Sequence, residues 1–197
     1  MLLHFSDYFF LRESKEDTVV LSFGRMNPPT IGHQKLMKKL IEVGRKEGGV
    51  PMLFLSHSQD KKKNPLSYQE KLKFVRSNAP SGLRVMDSPA RTIYEAIDTL
   101  VVQGFVHIIV ICGSDRVEEF SRIEKYKEKM GFSSFKVVSS GERDADSDNL
   151  ENSISASKMR EYAKEEDFDN FAKGAGCSKS LVKDMYAAVR RGMGLQE

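Results

Sequence analysis

The stretch GRMNPPTIGH, residues 24–33, combines residue types that suit the binding of a phosphate group. It directly follows TVVLSF (18–23), an apolar and β-branched run that predicts a buried strand. Gly24 lets the backbone pass close to a ligand, and the two prolines stiffen the loop. Thr30 and Gly32 then open a predicted helix, whose unpaired N–H groups and positive dipole end attract anions. The stretch is therefore predicted to be a phosphate-binding turn.

Two basic side chains of this turn can bind the anion directly. His33 lies in the first turn of the predicted helix, where its ring can donate a hydrogen bond to a phosphate oxygen. Arg25 can reach the same anion with its forked guanidinium donors. An ordinary strand-to-helix turn with an incidental histidine is the alternative, because the stretch matches neither GxxxxGK[ST] nor GxGxxG.

The elements that must position this turn alternate between strands and helices. Five apolar runs predict strands, over residues 18–23, 51–56, 83–87, 106–112 and 134–140. Six segments of helical periodicity lie between or after them, over residues 32–46, 65–79, 90–104, 115–131, 153–166 and 178–193. The alternation predicts an α/β fold, a Rossmann-like doubly wound parallel sheet with helices on both faces. Ligands of such sheets bind beyond the carboxyl ends of the strands, where the predicted turn and the loops SHSQDKKKNP and GSD lie.

Composition favours an intracellular protein with a small anionic ligand. The 197 residues include 31 basic and 28 acidic side chains, and the net charge of +3 is too small for a nucleic-acid-binding surface. Cys112 and Cys177 have no disulfide or metal-ligand spacing, which favours a reducing compartment, the cytoplasm. The four histidines are scattered, so no protein-built metal site is expected. The apolar runs are too short to span a bilayer, so no membrane partner is expected.

Two motifs in this chain resemble the signatures of the nucleotidylyltransferase superfamily. TIGH (30–33) is similar to its [HT]xGH motif, and ISASKMR (154–160) is similar to its ISxTxxR motif. LSHSQDKKKNPLSYQEKL (55–72) resembles a segment of the archaeal-type nicotinamide mononucleotide adenylyltransferases. GSD (113–115) resembles the G[SA]D loop of several members, and EEDFDNF (165–171) resembles the acidic stretch after their second motif.

The resemblance implies a reaction and assigns roles within it. A substrate phosphate attacks the α-phosphorus of a nucleoside triphosphate and releases pyrophosphate. His33 would donate to the α-phosphate, Arg160 would hold the β- and γ-phosphates, and the Thr30 hydroxyl could donate to phosphate as well. The expected nucleotide-binding residues are Gly24, Arg25, Met26, Asn27, Gly32, Lys63, Lys71, Gly113, Asp115, Ile154, Ser155 and Ser157.

Further expectations concern single residues and the metal. Asn27 would shape the first loop, Gly113 and Asp115 would contact ribose or base, and Lys63 and Lys71 would add positive charge. Lys61, Lys62 and Lys63 can also be read as a solvated loop, and Arg160 as a surface helix residue. Mg²⁺ would be held mainly by the triphosphate and water, because no carboxylate cage is evident.

The sequence favours ATP as the nucleotide and leaves CTP open. Cytidylyltransferases of this superfamily usually have RTxG before the second motif, whereas this chain has LENS. Nicotinamide mononucleotide is the favoured acceptor, and a phosphorylated alcohol with CTP is the alternative. Thr30 replaces a charged histidine, and Lys71 replaces an arginine of the archaeal-type segment and loses its bidentate geometry.

The expected organisation is an N-terminal extension (1–17), a nucleotidylyltransferase domain (18–177) and a C-terminal helix (178–197). The aromatic residues of the extension have the spacing of a short amphipathic helix that packs on the domain. FSDYFFLRE (5–13) also resembles capsid-targeting leaders of large tailed phages, which end in Leu-x-Glu, and the domain resembles the cytidylyltransferase-like proteins of such phages. This second interpretation predicts a virion-associated protein with weak or no catalysis and capsid association through residues 1–13.

Two other readings are open. TIGH and SKM also resemble motifs of class I aminoacyl-tRNA synthetases, although the chain has no room for the remaining parts of such an enzyme. A homo-oligomer is compatible with the sequence, which contains no feature that decides the oligomeric state.

Overall fold

The computed structural model describes residues 17–141 and 154–195. Within them lies one sheet of five parallel strands in the order β3–β2–β1–β4–β5. The strands are β1 (Thr18–Gly24), β2 (Val50–Leu55), β3 (Arg84–Val85), β4 (His107–Cys112) and β5 (Ser134–Ser139). The predicted α/β fold with a Rossmann-like parallel sheet is confirmed.

Eight α-helices connect or follow these strands in the described residues. They are α1 (Ile31–Glu47), α2 (Tyr68–Arg76), α3 (Ile93–Val102), α4 (Val117–Ser121), α5 (Lys127–Met130), α6 (Ala156–Lys164), α7 (Phe168–Gly174) and α8 (Val182–Met193). No helix in the described part of the chain combines the length and the apolar character that crossing a bilayer requires. The N-terminal extension and most of the loop before α6 fall outside the described residues.

One predicted helix was wrong, and one helix was not predicted. The continuous helix predicted over 115–131 is divided, since 3₁₀ turns at Ser114–Arg116 and Arg122–Tyr126 alternate with α4 and α5. Phe120 and Ile123 both enter the core, and their spacing of three residues matches the 3₁₀ period better than the α-helical one. Helix α7 was not predicted, although Asp167 signals its start by accepting a hydrogen bond from the Asn170 N–H at 3.0 Å.

Both faces of the sheet are covered, as a doubly wound fold requires. Successive residues of β1 alternate between two cores: Val19 and Leu21 pack with α3, whereas Val20 packs with α1 and α2. The two nonpolar faces fix the register of the central strand, because a shift by one residue would exchange every side chain between them. The carboxyl end of β1 is thereby held at one edge of the sheet.

The C-terminal helices form a third core that anchors α6. Met159 of α6, Phe171 of α7 and Met185 of α8 pack together with Leu66 and Phe74 from the region around α2. This core ties the helix that carries the second motif to the segment that follows β2. The position of α6 over the sheet therefore depends on α7 and α8.

A second contact joins this C-terminal part to the first motif. The Gly176 N–H donates to the Pro29 carbonyl at 3.2 Å, and Ala175 pairs with Thr30 in an isolated antiparallel bridge. A Cβ atom at Gly176 would lie 2.5 Å from the Thr30 carbonyl carbon and oxygen. Only glycine therefore allows the two segments to approach this closely.

Lys71 is not placed as expected. It was predicted to add positive charge for the nucleotide, but its side chain is fully buried beneath the loop that follows β2. Its ammonium donates to the carbonyl of Ser56 and, at 3.4 Å, to that of Ser58. Lysine therefore braces the loop at this position and has no access to a ligand.

The buried ammonium predicts a pH dependence of stability. Burial lowers the pKa of Lys71 from 10.5 to about 8. Below the folded-state pKa both states carry the charge, and its burial penalty is present in full. Between the two pKa values the unfolded state binds more protons, so this penalty falls and stability rises with pH. From about pH 7 to about pH 9.5 the rise should be roughly 2 kcal/mol.

Urea unfolding at these two pH values measures the rise. Lys71→Met should lack it, whereas Lys73→Met, at an exposed position on the same helix, should retain it. Parallel pH profiles for the wild type and Lys71→Met would show that the pKa of the lysine is the same in the folded and the unfolded protein, as for a solvated side chain.

Candidate active site

A cavity of about 660 Å³ opens at the carboxyl ends of β1, β4 and β5. It lies beside the point at which the strand order reverses, since the chain runs from β1 to β2 and β3 on one side and to β4 and β5 on the other. Twelve of the fifteen residues expected in the site line it: Gly24, Arg25, Met26, Asn27, Gly32, His33, Lys63, Gly113, Asp115, Ser155, Ser157 and Arg160. Thr30, Lys71 and Ile154 do not.

His33 is held by the residue that caps its helix. The Thr30 N–H donates to Nδ1 of the His33 ring at 2.9 Å, and the Thr30 hydroxyl oxygen lies 3.0 Å from the same nitrogen. A ring nitrogen that accepts an N–H bond carries no hydrogen, so the neutral imidazole carries its hydrogen on Nε2. The site thus contains a ring oriented as a donor through Nε2.

Thr30 contacts His33 and does not line the cavity. Its side chain was expected to donate to phosphate, but the residue is 1% exposed and does not line the cavity. Ile154 is likewise buried, in the third core beside α6, and serves the packing of the second motif. Neither Thr30 nor Ile154 therefore lies in the cavity wall, where the sequence analysis expected them to contact the nucleotide.

Asn27 connects three segments that line the cavity. Its side-chain amide donates to the Leu66 carbonyl at 3.1 Å, and its side-chain oxygen accepts from the Leu66 N–H at 2.8 Å. Its backbone carbonyl accepts from Nη1 of Arg160 at 2.8 Å. Asn27 is 2% exposed, so these bonds form in a largely water-excluded place, where leaving them unmade would be costly. The first loop, the segment before α2 and helix α6 are therefore fixed relative to one another.

The buried side chain of Met26 attaches the same loop to the core. It lines the cavity but is only 2% exposed, and its side chain packs in the second core with α1 and α2. Its φ of 41° is a left-handed conformation that a residue with a side chain adopts only when its surroundings impose it. The packing of Met26 thus sets the direction in which the loop leaves β1.

Arg160 lies in the second turn of α6, and two hydrogen bonds orient its guanidinium. One is the bond to Asn27, and in the other Nη2 donates to the Ser157 hydroxyl at 3.0 Å. Burial and the charge of Arg25 lower the pKa of Arg160, while Asp60 acts in the opposite direction. Two guanidinium groups that repel each other in one cavity are stabilised when an anion lies between them.

Helix α6 adds backbone donors beside Arg160. Ser155 caps it, and its hydroxyl accepts from the Lys158 N–H at 3.1 Å. Ser155, Ala156 and Ser157 all line the cavity. The N-terminal end of α6 thus presents its dipole to the same space as the Arg160 side chain.

The loop after β2 brings a lysine to the cavity. The Asp60 carboxylate accepts from the N–H groups of Lys62 and Lys63 at 2.9 and 2.7 Å and from the Asn64 amide at 2.5 Å. These hydrogen bonds, of which the one from the Lys63 N–H has the largest effect, lower the pKa of Asp60 to about 2. The carboxylate is therefore ionised at neutral pH. Among Lys61, Lys62 and Lys63, only Lys63 lines the cavity, and the solvated-loop interpretation fits the other two.

Eleven residues that line the cavity were not among the expected site residues, and three of them bear on ligand binding. Lys35 lies on α1, two residues after His33. Arg116 directly follows GSD, and Phe120 belongs to α4. The position of Arg116 beside a recognised loop was a usable signal. Nothing in the sequence marks Lys35, because its helix carries several other lysines.

The cavity is strongly basic. Its cationic lining residues are Arg25, Lys35, Lys63, Arg116 and Arg160, and Asp115 is the one acidic side chain that the described residues contribute. The described part of the chain contains no group of three or more His, Cys, Asp or Glu residues that could hold a metal ion. The arrangement suits a ligand with several negative charges, held by cations and hydrogen-bond donors.

Comparisons with known proteins agree with this geometry. A cytidylyltransferase-like family profile matches residues 21–162, most of the chain. The fold is similar to the crystal structure of a candidate nicotinate-nucleotide adenylyltransferase from Vibrio parahaemolyticus, with a TM-score of 0.57 at 15% identity. The match covers 85% of this chain and 98% of that one. No curated protein matches the sequence. The family match and the shared fold, taken with the two motifs at one cavity, place this chain in the cytidylyltransferase-like family of the nucleotidylyltransferase superfamily, as an enzyme of the nucleotidyltransferase type.

Proposed function

We propose that this enzyme transfers AMP from ATP to a phosphate-bearing acceptor and releases pyrophosphate, with nicotinamide mononucleotide as the first acceptor to test. The observation that supports it best is the meeting of His33 and Arg160, from two distant motifs, in one cavity. Arg25 and Lys63 add two further cations to the same space. Nucleotidyl transfer needs such an arrangement, because both substrates and the leaving group are polyanions.

The chemistry follows from where charge develops. An oxygen of the acceptor phosphate forms a bond to the α-phosphorus, and the bond from that phosphorus to the bridging oxygen of pyrophosphate breaks. The attacking oxygen is already anionic and has no proton to lose, so no general base is needed. The protein must instead stabilise the crowded α-phosphate and the departing pyrophosphate with pre-placed donors.

Each task has a side chain in a suitable place. The Nε2–H of His33 would donate to an α-phosphate oxygen, because Thr30 holds the other ring nitrogen. Arg160 and the first N–H groups of α6 would hold the β- and γ-phosphates, and Arg25 and Lys63 would neutralise them further. The negative charge that grows on pyrophosphate as it leaves would thus meet fixed positive charge.

Magnesium would enter as part of the substrate. Mg²⁺ prefers six oxygen ligands and keeps several waters, so a triphosphate and water can satisfy it without a cage of protein carboxylates. This donor set fits a metal that arrives and leaves with phosphate.

The choice of nucleotide and acceptor rests on sequence resemblance. The absence of RTxG before the second motif favours ATP, whereas the name of the matched family makes CTP the second candidate. The likeness of residues 55–72 to archaeal-type enzymes favours a nicotinamide nucleotide. The similar Vibrio structure is a candidate for the nicotinate form, so both acceptors should be offered.

The phage-related interpretation stays a prediction. The leader-like segment FSDYFFLRE and the whole of residues 1–13 lie outside the described residues. Capsid association, a cytoplasmic location and a homo-oligomer are therefore expectations from sequence alone. An active cavity would be compatible with each of them.

Pyrophosphate release tests the proposed reaction. Purified protein with Mg²⁺ and ATP or CTP should be offered nicotinamide mononucleotide, its acid form, phosphopantetheine and flavin mononucleotide in turn. We expect release with ATP and one acceptor. His33→Ala should lower kcat by about 100-fold or more, because it removes a donor to the developing charge.

His107→Ala is the matched control. This histidine lies at the amino end of β4, whereas the cavity lies at the carboxyl ends of the strands, so its loss should leave turnover unchanged. Absence of release with every pair, or equal rates for His33→Ala and the wild type, would contradict the proposal. Release with CTP and not ATP would replace the nucleotide and keep the reaction.

A second prediction separates the lysines of the loop after β2. Lys63→Ala should raise the KM for the triphosphate about 10-fold, since it removes one charged contact. Lys62→Ala should leave KM unchanged, because its side chain does not line the cavity. Asp60→Ala should raise KM through the misplacement of Lys63, so the double variant Asp60→Ala/Lys63→Ala should resemble Lys63→Ala. Additive effects of the two changes would show that Asp60 acts independently of Lys63.

A further inference from the structure

Arg116 forms a flat patch in the wall of the cavity. Its guanidinium carbon lies 4.2 Å from the centre of the Phe120 ring, so one face of its plane is covered by an aromatic side chain. Nε and Nη2 donate to the two carboxylate oxygens of Glu119 at 3.0 and 2.8 Å. Arg116 and Phe120 both line the cavity. The guanidinium thus lies against Phe120 on one side and is paired with Glu119, while the Arg116 side chain remains 42% exposed.

The pairing with Glu119 makes Arg116 unlike the other arginines of the cavity. A bidentate carboxylate neutralises its charge and uses two of its donors, which leaves a poor phosphate ligand. Arg25 and Arg160, in contrast, repel each other and gain from a bound anion. A planar, charge-paired guanidinium is better suited to stacking on another flat group.

The electrostatic surroundings divide the cavity into two regions. Burial lowers the pKa of Arg160. Of the neighbouring charges, Arg25 in the loop after β1 lowers it further, and Asp60 in the loop after β2 raises it. The hydrogen bond to Glu119 is the main cause that raises the pKa of Arg116, and Asp115 contributes. The first region, formed by the loops after β1 and β2, therefore contains the partners for phosphate. The second region, around Arg116, lies beyond the end of β4.

A nucleotide spans such a cavity with its phosphates at one end and its base at the other. Resting on the proposed nucleotidyl transfer, we propose that Arg116 stacks on the base of the bound nucleotide and selects for a purine. Arginine planes and aromatic rings are the usual stacking partners of bases in proteins. A purine covers more of the guanidinium than a pyrimidine does, so this contact favours ATP over CTP.

Binding measurements with and without a base test this role. Calorimetry on the full chain with Mg²⁺ would compare ATP, CTP and inorganic tripolyphosphate, with no acceptor present. Arg116→Ala should weaken ATP binding about 10-fold or more, CTP binding less, and tripolyphosphate binding by no more than about twofold. Arg116→Lys keeps the charge and much of the stem but lacks the plane, and should weaken ATP binding as well.

Arg122→Ala is the matched control. Arg122 forms an ion pair with Glu118 at 2.6 Å in the same segment, yet it does not line the cavity, so its loss should leave all three affinities unchanged. Retained tripolyphosphate binding also shows that each Arg116 variant is folded at the site. Equal weakening of ATP and tripolyphosphate would make Arg116 a phosphate ligand and overturn the proposal, as would unchanged ATP binding in Arg116→Ala or full ATP affinity in Arg116→Lys.

The outcome is separable from that of the transfer reaction. A wild type that binds ATP through Arg116 but never releases pyrophosphate would overturn the proposed transfer and leave the base contact standing. A wild type that binds tripolyphosphate but gains nothing from either base would overturn the base contact alone. A wild type that binds none of the three would overturn both.

Discussion

The hydrogen bonds of Asn27 are the constraint on which the site depends. The parallel sheet brings the ends of β1, β4 and β5 to one edge, but it does not by itself fix the loops beyond them. Asn27 joins the first loop to Leu66 through its side chain and to Arg160 through its carbonyl. A single buried residue thus sets the spacing between two motifs that are far apart in the chain. Because an unmade hydrogen bond in this buried place is costly, the three bonds favour one relative position of the two motifs.

The positive charges that line the cavity lower the stability of the protein when no anion is bound. Arg25 and Arg160 repel each other, and burial further disfavours the charge on Arg160. The third core, with Met159 and Met185, supplies the packing that keeps α6 in place against this repulsion. The donors are thereby already oriented when a polyanion enters, and little reorganisation is left for the moment of reaction. This is the physical reason why a site without a built-in base can be catalytic.

Sequence reasoning found the sheet and the two motifs because both have strong local signals. Runs of β-branched residues mark the strands, and TIGH and ISASKMR mark the turns that follow. It failed at Lys71, which was expected to face the nucleotide, because the resemblance of a segment does not show that a lysine within it is buried. It missed Arg116 although a signal was available, because Arg116 directly follows GSD and lies four residues before Phe120, the spacing of neighbouring side chains on a helix.

The replacement of a histidine by Thr30 illustrates how a motif can change without loss of its task. The group that orients His33 is the N–H of residue 30, and every amino acid except proline supplies one. The threonine hydroxyl lies 3.0 Å from the same ring nitrogen, so it reinforces that bond without reaching the cavity. The side chain of residue 30 has to fit a closed space, since Thr30 is 1% exposed. His33, in contrast, lines the cavity, and the proposed reaction assigns it the contact with the α-phosphate.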